Sequence, residues 1–427
     1  MLKQSGENRR STLVVEGGHK LGGRIDVGGN KNSALPLLAA CLLTEEKCEL
    51  TNVPGIKDVH VMLDLLSGLG AVIEWKGPAT LTVQCTKLSS DEPDPWLVGR
   101  LRGSVLLVCP LLARMGRVTL APPGGDFPAR RTLNVHLQAL EAMGVTEHGA
   151  NGHALDASDG GLHSASIYLD EASVTGTETA ILAAAAANGV TEIRHAASEP
   201  HVVELCNFLV AMGVEIEGAG TSTLRIHGGG KLRGANYQLQ GDYIEAGSWA
   251  VIAAITGGEI EVHGSRPEHL EPIVTVLKKL NLECDVAGER LIVSCSKLMS
   301  CKRITTAPWP GFPSDMVSLV TVLATQAEGR TLIHDWMYEL RLFALEQLSG
   351  MGAGLFLCDP HRIIVDGPSK LSGRNLDTRD LRSGMALIAA ALASTGVSHV
   401  GPLETVERGY GNLVERLRSL GAHVSVE

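Results

Sequence analysis

The sequence contains few aromatic residues, since only 4% of its 427 residues are Phe, Trp or Tyr. Proteins that hold single-stranded nucleic acid stack its bases on aromatic side chains, so this composition disfavours such a platform. An excess of basic residues is missing too, because 37 Lys and Arg stand against 47 Asp and Glu, for a formal net charge of −10 at pH 7. A broad nucleic-acid surface needs the opposite sign of charge. We therefore expect no nucleic-acid partner.

Long apolar runs and paired cysteines are also missing. The longest apolar stretches, such as residues 180–187, fall well short of the ~20 residues that a membrane-spanning helix needs, so we expect no membrane partner. The nine cysteines are odd in number and form no CxxC pair, which favours reduced thiols and a cytoplasmic location. The first residues, MLKQSGENRR, lack the apolar core of a signal peptide. The fifteen histidines are dispersed without an HExxH pattern, and we expect neither a metal nor a cofactor.

What the sequence does contain is a sixfold internal repeat. A helical apolar pattern ends in Leu or Met, then Gly follows, then an alternating strand-like run, as in LLSGLGAVIEW and LQALEAMGVTE. Successive copies lie, by subtraction of their positions, 74, 69, 68, 71 and 69 residues apart. A left-handed helix C-cap requires Gly or, failing that, Asn. The residues predicted to take this conformation are Gly70, Gly144, Gly213, Asn281, Gly352 and Gly421.

Each copy carries a second helix that is apolar on nearly every face, such as TETAILAAAAANG, which predicts a helix buried within a domain. The repeat is therefore a βαβαβ-type α/β unit of ~70 residues with one inner and one outer helix. Six units are too many for one core, so we predict two domains of three units each. The predicted domains are residues 30–235 and a discontinuous domain, residues 1–29 plus 236–427, that includes the N-terminal strand.

Charged residues gather where the inner helices are predicted to begin. The positive end of a helix attracts anions, so a basic residue there opposes the helix dipole unless an anion intervenes. Lys31, Arg102 and Arg382 are therefore candidate ligand-binding residues, with solvated surface charge as the alternative. Three aspartates at such positions are equally well explained as ordinary N-caps: Asp242, Asp315 and Asp380.

The loop PPGGDFPARR, residues 122–131, joins a predicted strand to an outer helix. Its Gly pair, its prolines and its two arginines favour a mobile lid that contacts anions, and a surface turn with solvated arginines is the alternative. Arg341 and Arg408 occupy equivalent places in the repeat, where the outer helices of the fifth and sixth units are predicted to begin. Two hinged domains with positive helix ends facing a cleft imply small polyanionic substrates.

Seven segments, in order along nearly the whole chain, resemble a known family: GGNKNSALPLLAACLL, RGSVLLVCP, APPGGDFPARR, SVTGTETAILAAA, APWPGFPSDM, RDLRSGMALI and ERGYGNLVERLRSLGA. Together they closely resemble the UDP-N-acetylglucosamine 1-carboxyvinyltransferases, enolpyruvyl transferases of peptidoglycan synthesis. The resemblance implies two inverse α/β barrel domains, each of three repeats, with a cleft between them. It also implies transfer of the enolpyruvyl group of phosphoenolpyruvate to the 3′-hydroxyl of UDP-N-acetylglucosamine, with release of phosphate through a tetrahedral intermediate.

The resemblance assigns roles to the residues that match the family's motifs. Lys31 and Asn32 would act at the reacting centre, Lys31 on the phosphoenolpyruvate and Asn32 on the tetrahedral intermediate. Asp315 would accept the proton of the sugar hydroxyl as general base. The other residues implied for phosphoenolpyruvate are cationic: Arg131, Arg341, Arg382 and Arg408. Those implied for the sugar nucleotide, beside Asn32 and Asp315, are Arg102, Thr132, Leu133, Asn134 and Glu199.

The chain departs from the family at positions that bear on the chemistry and the acceptor. Asp126 stands where most members have a catalytic Cys, and it would take over proton transfer. Thr132, Leu133 and Asn134 replace the usual Pro-Val-Asp of a segment that touches the uracil in the family, and Tyr243 replaces an arginine. Two alternatives therefore stay open: a same-fold transferase for another nucleotide or sugar acceptor, and a non-catalytic paralogue that binds a nucleotide sugar. The sequence leaves the oligomeric state open.

Overall fold

The computed structural model describes residues 11–125, 132–148, 153–339 and 341–427. The chain divides into two compact units: unit 1 comprises Met1–Val27 and Asp242–Glu427, and unit 2 comprises Gly28–Gly241. Among the residues described, none of the helices combines the length and the apolar character that crossing a bilayer requires.

The described residues form 23 strands, numbered along the chain as β1 (Leu13–Glu16), β2 (Gly22–Asp26), β3 (Cys48–Thr51), β4 (Val72–Gly77), β5 (Thr80–Gln84), β6 (Arg117–Leu120), β7 (Val145–His148), β8 (His153–Ala157), β9 (Ser166–Tyr168), β10 (Gly189–Arg194), β11 (Glu215–Glu217), β12 (Thr223–Gly228), β13 (Asn236–Gln238), β14 (Glu259–His263), β15 (Glu283–Ala287), β16 (Arg290–Ser294), β17 (Arg303–Thr305), β18 (Gly329–His334), β19 (Gly354–Asp359), β20 (Arg362–Gly367), β21 (Asn375–Asp377), β22 (Val397–Gly401) and β23 (His423–Val426).

The same residues form 14 α-helices, numbered in the same way as α1 (Lys31–Ala40), α2 (Lys57–Gly68), α3 (Pro95–Val98), α4 (Val108–Met115), α5 (Asn134–Ala142), α6 (Val174–Ala186), α7 (Pro200–Ala211), α8 (Tyr243–Ile255), α9 (Pro267–Lys279), α10 (Val317–Ala324), α11 (Gln347–Gly350), α12 (Leu381–Ala393), α13 (Leu403–Val406) and α14 (Leu413–Ser419).

Six small sheets repeat one design, three in each unit. Five of them have four strands, with a parallel pair at one edge and two further antiparallel pairings. Unit 1 contains the sheets β21-β22-β1-β23, β15-β16-β14-β2 and β17-β18-β20-β19. Unit 2 contains β13-β3-β5-β4, β11-β12-β10-β9 and, within the described residues, the antiparallel sheet β6-β8-β7. This repetition confirms the predicted α/β class and its sixfold repeat.

The six residues predicted to end the outer helices all have left-handed backbones. Their φ angles lie between 68° at Asn281 and 106° at Gly213. At Gly70 a Cβ atom would also lie 2.9 Å from the carbonyl oxygen of Lys87, so glycine is needed there for space as well as for φ. This prediction is confirmed at every copy of the repeat.

The inner helices form the core of each unit. Every residue of α8 is buried, and α12 is buried from Leu381 to Leu392, which confirms the prediction drawn from their uniform apolarity. The second inner helix differs in its first turns, because residues Arg102–Leu107 form a 3₁₀ helix before α4 begins. Pro110 explains the boundary, since a proline without an N–H is accommodated in the first turn of an α-helix.

Candidate active-site residues

In unit 1, Asp315 lies between two guanidinium groups. It belongs to the 3₁₀ turn Ser314–Met316 that precedes α10. Its Oδ1 atom accepts a hydrogen bond from Nη1 of Arg341 at 3.1 Å, and its Oδ2 atom accepts from Nε of Arg382 at 3.0 Å. Nη2 of Arg382 also lies 2.8 Å from Oδ2. The Asp315 carboxylate is thus engaged in tertiary ion pairs.

The other two aspartates at inner-helix starts are N-caps. Oδ1 of Asp242 accepts hydrogen bonds from the backbone N–H groups of the second and third residues of α8, at 2.9 and 3.0 Å. Oδ1 of Asp380 does the same at α12, at 3.0 and 2.9 Å. These contacts satisfy N–H groups that a helix leaves open at its start. The N-cap interpretation therefore applies to Asp242 and Asp380, and the ligand interpretation stays a proposal for Asp315.

The two arginines that contact Asp315 are buried cations. The side chain of Arg382 is 7% exposed and that of Arg341 is 16% exposed. Burial is the largest single influence and lowers the pKa of each guanidinium group, but Asp315 together with further neighbouring groups raises it by more, so the net shift of both pKa values is upward. Nη1 of Arg341 also donates to Oγ of Ser314 at 2.8 Å. Both groups carry full positive charge beside a candidate base.

The prediction that Arg408 begins an outer helix is wrong. Arg408 is half-buried in the segment between α13 and α14, and α14 begins only at Leu413. Asn412, with a left-handed φ of 50°, separates the two short helices, and the glycines beside Arg408 and Tyr410 disfavour a continuous helix. Arg341 does precede a helical segment, although that segment is the 3₁₀ turn Leu342–Glu346 followed by the short α11.

In unit 2, Lys31 is the first residue of α1 and faces a protein carboxylate. Its Nζ atom lies 2.6 Å from Oδ2 of Asp58, and the two side chains are only 12% and 4% exposed. Asn30 caps the helix by accepting a hydrogen bond from the backbone N–H of Asn32 at 2.8 Å. Lys31 is therefore a buried, paired cation rather than a solvated surface charge. Asn32 is half-buried at the same helix end.

Arg102 and the segment Thr132–Asn134 lie together in unit 2. Nη2 of Arg102 donates to the backbone oxygen of Thr132 at 2.8 Å. Thr132 and Asn134 are exposed, whereas Leu133 is buried immediately before α5. The structure thus brings together four residues that the resemblance implies for the nucleotide.

The first residues of the predicted lid approach neighbouring backbone closely. A Cβ atom on Gly124 would lie 1.9 Å from the carbonyl oxygen of Gly99, and one on Gly125 would lie 2.8 Å from Cβ of Arg102. The base of the loop therefore requires glycine at position 124. Asp126 and Arg131, which follow, lie outside the described residues.

Two glutamates of unit 2 interact electrostatically. Glu199, predicted for the sugar nucleotide, immediately precedes α7 and is half-buried. Glu178 lies inside α6, is 2% exposed, and its Oε1 atom has no hydrogen-bond partner among the described residues. Burial, and then the charge of Glu199, raises the pKa of Glu178 well above its usual value. The resemblance gives Glu178 no role, although a buried carboxyl group with a strongly raised pKa is typical of functional sites.

Some side chains lie close enough together to share a metal ion. In the described residues of unit 1, Oε1 of Glu16 lies 3.6 Å from Nε2 of His19, and Oε2 of Glu16 lies 3.6 Å from Nδ1 of His423. The imidazole rings stack with 3.8 Å between their centroids. A second group in unit 2 consists of Glu215, Glu217 and His227. Neither group includes a residue implied for the substrates.

The chain matches the EPSP synthase (3-phosphoshikimate 1-carboxyvinyltransferase) family over residues 15–417. The UDP-N-acetylglucosamine 1-carboxyvinyltransferase of Bradyrhizobium diazoefficiens is 44% identical over 419 residues, covering 96% of this chain and 97% of that protein. The protein of the same name from Treponema denticola is 41% identical over 422 residues, covering 97% and 99%.

Solved structures show the same architecture. The enolpyruvyl transferase NikO from Streptomyces tendae has a TM-score of 0.87 at 26% identity, covering 97% of this chain and 98% of that one. An EPSP synthase from Acinetobacter baumannii has a TM-score of 0.74 at 20% identity, covering 98% of this chain and 100% of that one. At this identity the similarity concerns the fold alone. These matches confirm the predicted fold class.

Proposed function

The chain belongs to the EPSP synthase family of carboxyvinyltransferases, and we propose from this membership that it transfers the enolpyruvyl group of phosphoenolpyruvate to the 3′-hydroxyl of UDP-N-acetylglucosamine. Phosphate leaves, and the product enters peptidoglycan synthesis as its first committed intermediate. The 44% identity to a UDP-N-acetylglucosamine 1-carboxyvinyltransferase over nearly the whole of both chains carries this proposal. The candidate cations and the candidate base at inner-helix starts are consistent with it.

Asp315 is the proposed general base. It removes the proton of the sugar hydroxyl while the hydroxyl oxygen bonds to C2 of phosphoenolpyruvate and C3 takes up a proton, so that the C2–C3 double bond becomes a single bond. In the elimination step C3 loses a proton, the double bond forms again and the C2–O bond to phosphate breaks. Because Arg341 and Arg382 occupy its two oxygens, the phosphate and carboxylate of the substrate compete for these guanidinium groups. Arg408 adds a third cation to bind the same anions. Substrate binding thus frees a carboxylate oxygen for the incoming hydroxyl.

The proposed roles in unit 2 concern phosphoenolpyruvate, the intermediate and the nucleotide. Lys31 binds the phosphoenolpyruvate at the N-terminus of α1, where the helix dipole adds to its charge, and Asn32 hydrogen-bonds the tetrahedral intermediate. Arg102, with the segment Thr132–Asn134, binds the nucleotide, and Glu199 binds the sugar.

The loop of residues 122–131 carries two further proposed functional groups. Arg131 binds phosphoenolpyruvate, and Asp126 takes part in proton transfer in place of the more usual thiol. A carboxyl group donates a proton near neutral pH only if its pKa is raised. Neutralisation of the neighbouring arginines by substrate anions favours that acid form.

We assign the loop to the domain predicted as residues 30–235 and the general base to the discontinuous domain predicted as residues 1–29 plus 236–427. The structure extends the first of these to Gly28–Gly241, because β13 pairs with β3. We also propose a cytoplasmic location, because all nine cysteines are free thiols and five of them are buried. The proposed partners are the two substrates alone.

Phosphate release tests the proposed function. The chain is incubated with phosphoenolpyruvate and UDP-N-acetylglucosamine, with UMP as a second acceptor and Asp315→Asn as the matched control. We expect phosphate release with the nucleotide sugar and a loss of about 100-fold or more in Asp315→Asn. Activity with UMP but not with UDP-N-acetylglucosamine would favour the alternative acceptor class, for which the altered segment Thr132–Asn134 is the reason. No turnover with any acceptor would contradict catalysis.

A further inference from the structure

A pair of buried hydroxyl groups lies behind the guanidinium group of Arg382. Tyr410, between α13 and α14, and Ser248, on α8, are both completely buried. Nη1 of Arg382 lies 3.3 Å from the hydroxyl oxygen of Tyr410, and that oxygen lies 2.8 Å from Oγ of Ser248. Oγ of Ser248 lies 2.7 Å from the carbonyl oxygen of Ile244, one turn earlier in α8. These four groups form a continuous series of hydrogen bonds, named here the Tyr410 relay.

The directions of these hydrogen bonds follow from the donors and acceptors available. A carbonyl oxygen only accepts, so the single proton of the Ser248 hydroxyl is donated to Ile244. Oγ of Ser248 can then only accept from Tyr410, which uses the one proton of the phenol. The lone pairs of the Tyr410 oxygen remain for Arg382, whose nitrogens only donate. The relay therefore runs in one direction, from Arg382 through Tyr410 and Ser248 to the backbone of α8.

The relay gives Arg382 a contact that Asp315 does not supply. Nε and Nη2 of Arg382 both bind Oδ2 of Asp315, so these two contacts lie on one edge of the guanidinium group. Tyr410 binds the remaining terminal nitrogen and thereby limits rotation of the group about its contact with Asp315. A buried N–H group without an acceptor is unfavourable, so loss of this acceptor favours reorientation of the guanidinium group.

Tyr410 is suited to remain neutral in this role. Burial raises its pKa, and the charge of Arg382 lowers it by less, so the net shift is upward. The phenol thus keeps the proton that it donates to Ser248. The centre of the Arg382 guanidinium group also lies 5.9 Å from the centroid of the Tyr410 ring, within the range of a cation–π contact.

We propose that Tyr410 is a positioning residue for the reaction, because its hydroxyl group holds the Arg382 guanidinium group in the orientation that places the Asp315 carboxylate for proton transfer. The inference rests on the proposed function. It assigns the hydroxyl group of Tyr410 an effect on turnover, distinct from a general contribution to stability.

Two variants that each remove one buried oxygen atom test the proposal. Tyr410→Phe removes the acceptor of Arg382, whereas Ser248→Ala leaves the Tyr410 oxygen in place. We expect Tyr410→Phe to lower kcat about 10-fold or more, with KM for the nucleotide sugar changed less than about twofold, since misorientation of a catalytic group is costly. Ser248→Ala is expected to lower kcat by less than about threefold. Thermal unfolding of both variants gives the folded fraction by which kcat is normalised.

A double-mutant cycle then tests whether Tyr410 acts through Arg382. In an Arg382→Ala background, Tyr410→Phe is expected to have no further effect on kcat.

Equal losses of kcat in Tyr410→Phe and Ser248→Ala, or a Tyr410→Phe variant with near-normal kcat, would overturn the proposal. If Tyr410→Phe does not fold, a tenfold loss in Ser248→Ala still overturns it, and a retained kcat supports it. An unsubstituted protein that is inactive with every acceptor contradicts the proposed function instead, so the two failures are distinguishable.

Discussion

At the scale of single residues, the most unusual group in unit 2 is the carboxyl group of Glu178, which is buried in α6. Burial, and then the charge of Glu199, raises its pKa in the folded protein. In the unfolded chain a glutamate ionises near pH ~4.3. Above that pH the folded state holds a proton that the unfolded state has lost, so this group's contribution to the free energy of unfolding falls as pH rises.

The expected consequence is a pH-dependent effect of Glu178→Gln. Glutamine has no proton to lose, so the free energy of unfolding of the variant, minus that of the unsubstituted protein, is expected to increase between pH 5 and pH 8. The slope for one proton is at most about 1.4 kcal/mol per pH unit. Urea unfolding at several pH values measures it, with the exposed Glu171→Gln as the control. A difference that is constant across this range would contradict the prediction.

Asp126 leads to a prediction about covalent inhibition. The resemblance implies that, in family members with Cys at this position, the thiol is the group alkylated by the epoxide antibiotic fosfomycin. A carboxylate is a much poorer nucleophile toward an epoxide than a thiolate. We expect the unsubstituted enzyme to keep its activity after preincubation with fosfomycin. Asp126→Cys is expected to stay active and to lose activity over time under the same conditions. Time-dependent inactivation of the unsubstituted enzyme would contradict this chemistry.

At the scale of structural elements, the base of the loop that follows β6 depends on Gly124. A side chain there would collide with the carbonyl oxygen of Gly99, so Gly124→Ala must move the loop or the end of α3. We expect a fall in kcat/KM of about tenfold or more, because the displaced loop carries Asp126 and Arg131. Gly230→Ala is the control, since a Cβ atom there has no neighbour within 4 Å. Equal kcat/KM values for the two variants would show that the loop tolerates the displacement.

Elements whose geometry is local are the ones that the sequence predicts well. The left-handed turns at Gly70 and Asn281 could be located because one residue type at a fixed place in the repeat determines the backbone there. The pairing of Lys31 with Asp58 could not be predicted from the sequence, since it depends on how α2 packs against α1. Ser248 and Tyr410 are 162 residues apart, and each hydroxyl alone has no pattern that indicates its partner. The spacing of the repeat therefore locates the candidate cations in the sequence, whereas the packing of the folded chain determines which groups they contact.

At the scale of the whole molecule, unit 2 is a continuous segment with its own three sheets and its own core. We expect residues 28–241, produced alone, to unfold cooperatively, because the segment has the size of an ordinary domain and its sheets use no strand of unit 1. Circular dichroism during heating measures this transition. A gradual loss of signal without a transition would show that the segment needs the rest of the chain.

Unit 1 differs from unit 2 during synthesis, because one of its sheets joins strands that are far apart in the sequence. Strand β1 lies between β22 and β23, and the backbone N–H of Thr12 donates to the carbonyl oxygen of Glu427. Leu13 pairs with Val400, and at ~5–20 residues per second the ribosome needs roughly 20–80 s to make the chain between them. Throughout that time β1 is an apolar strand with both edges unpaired, open to pairing with other nascent chains. The risk of aggregation through β1 therefore persists until its partner strands β22 and β23 have left the ribosome.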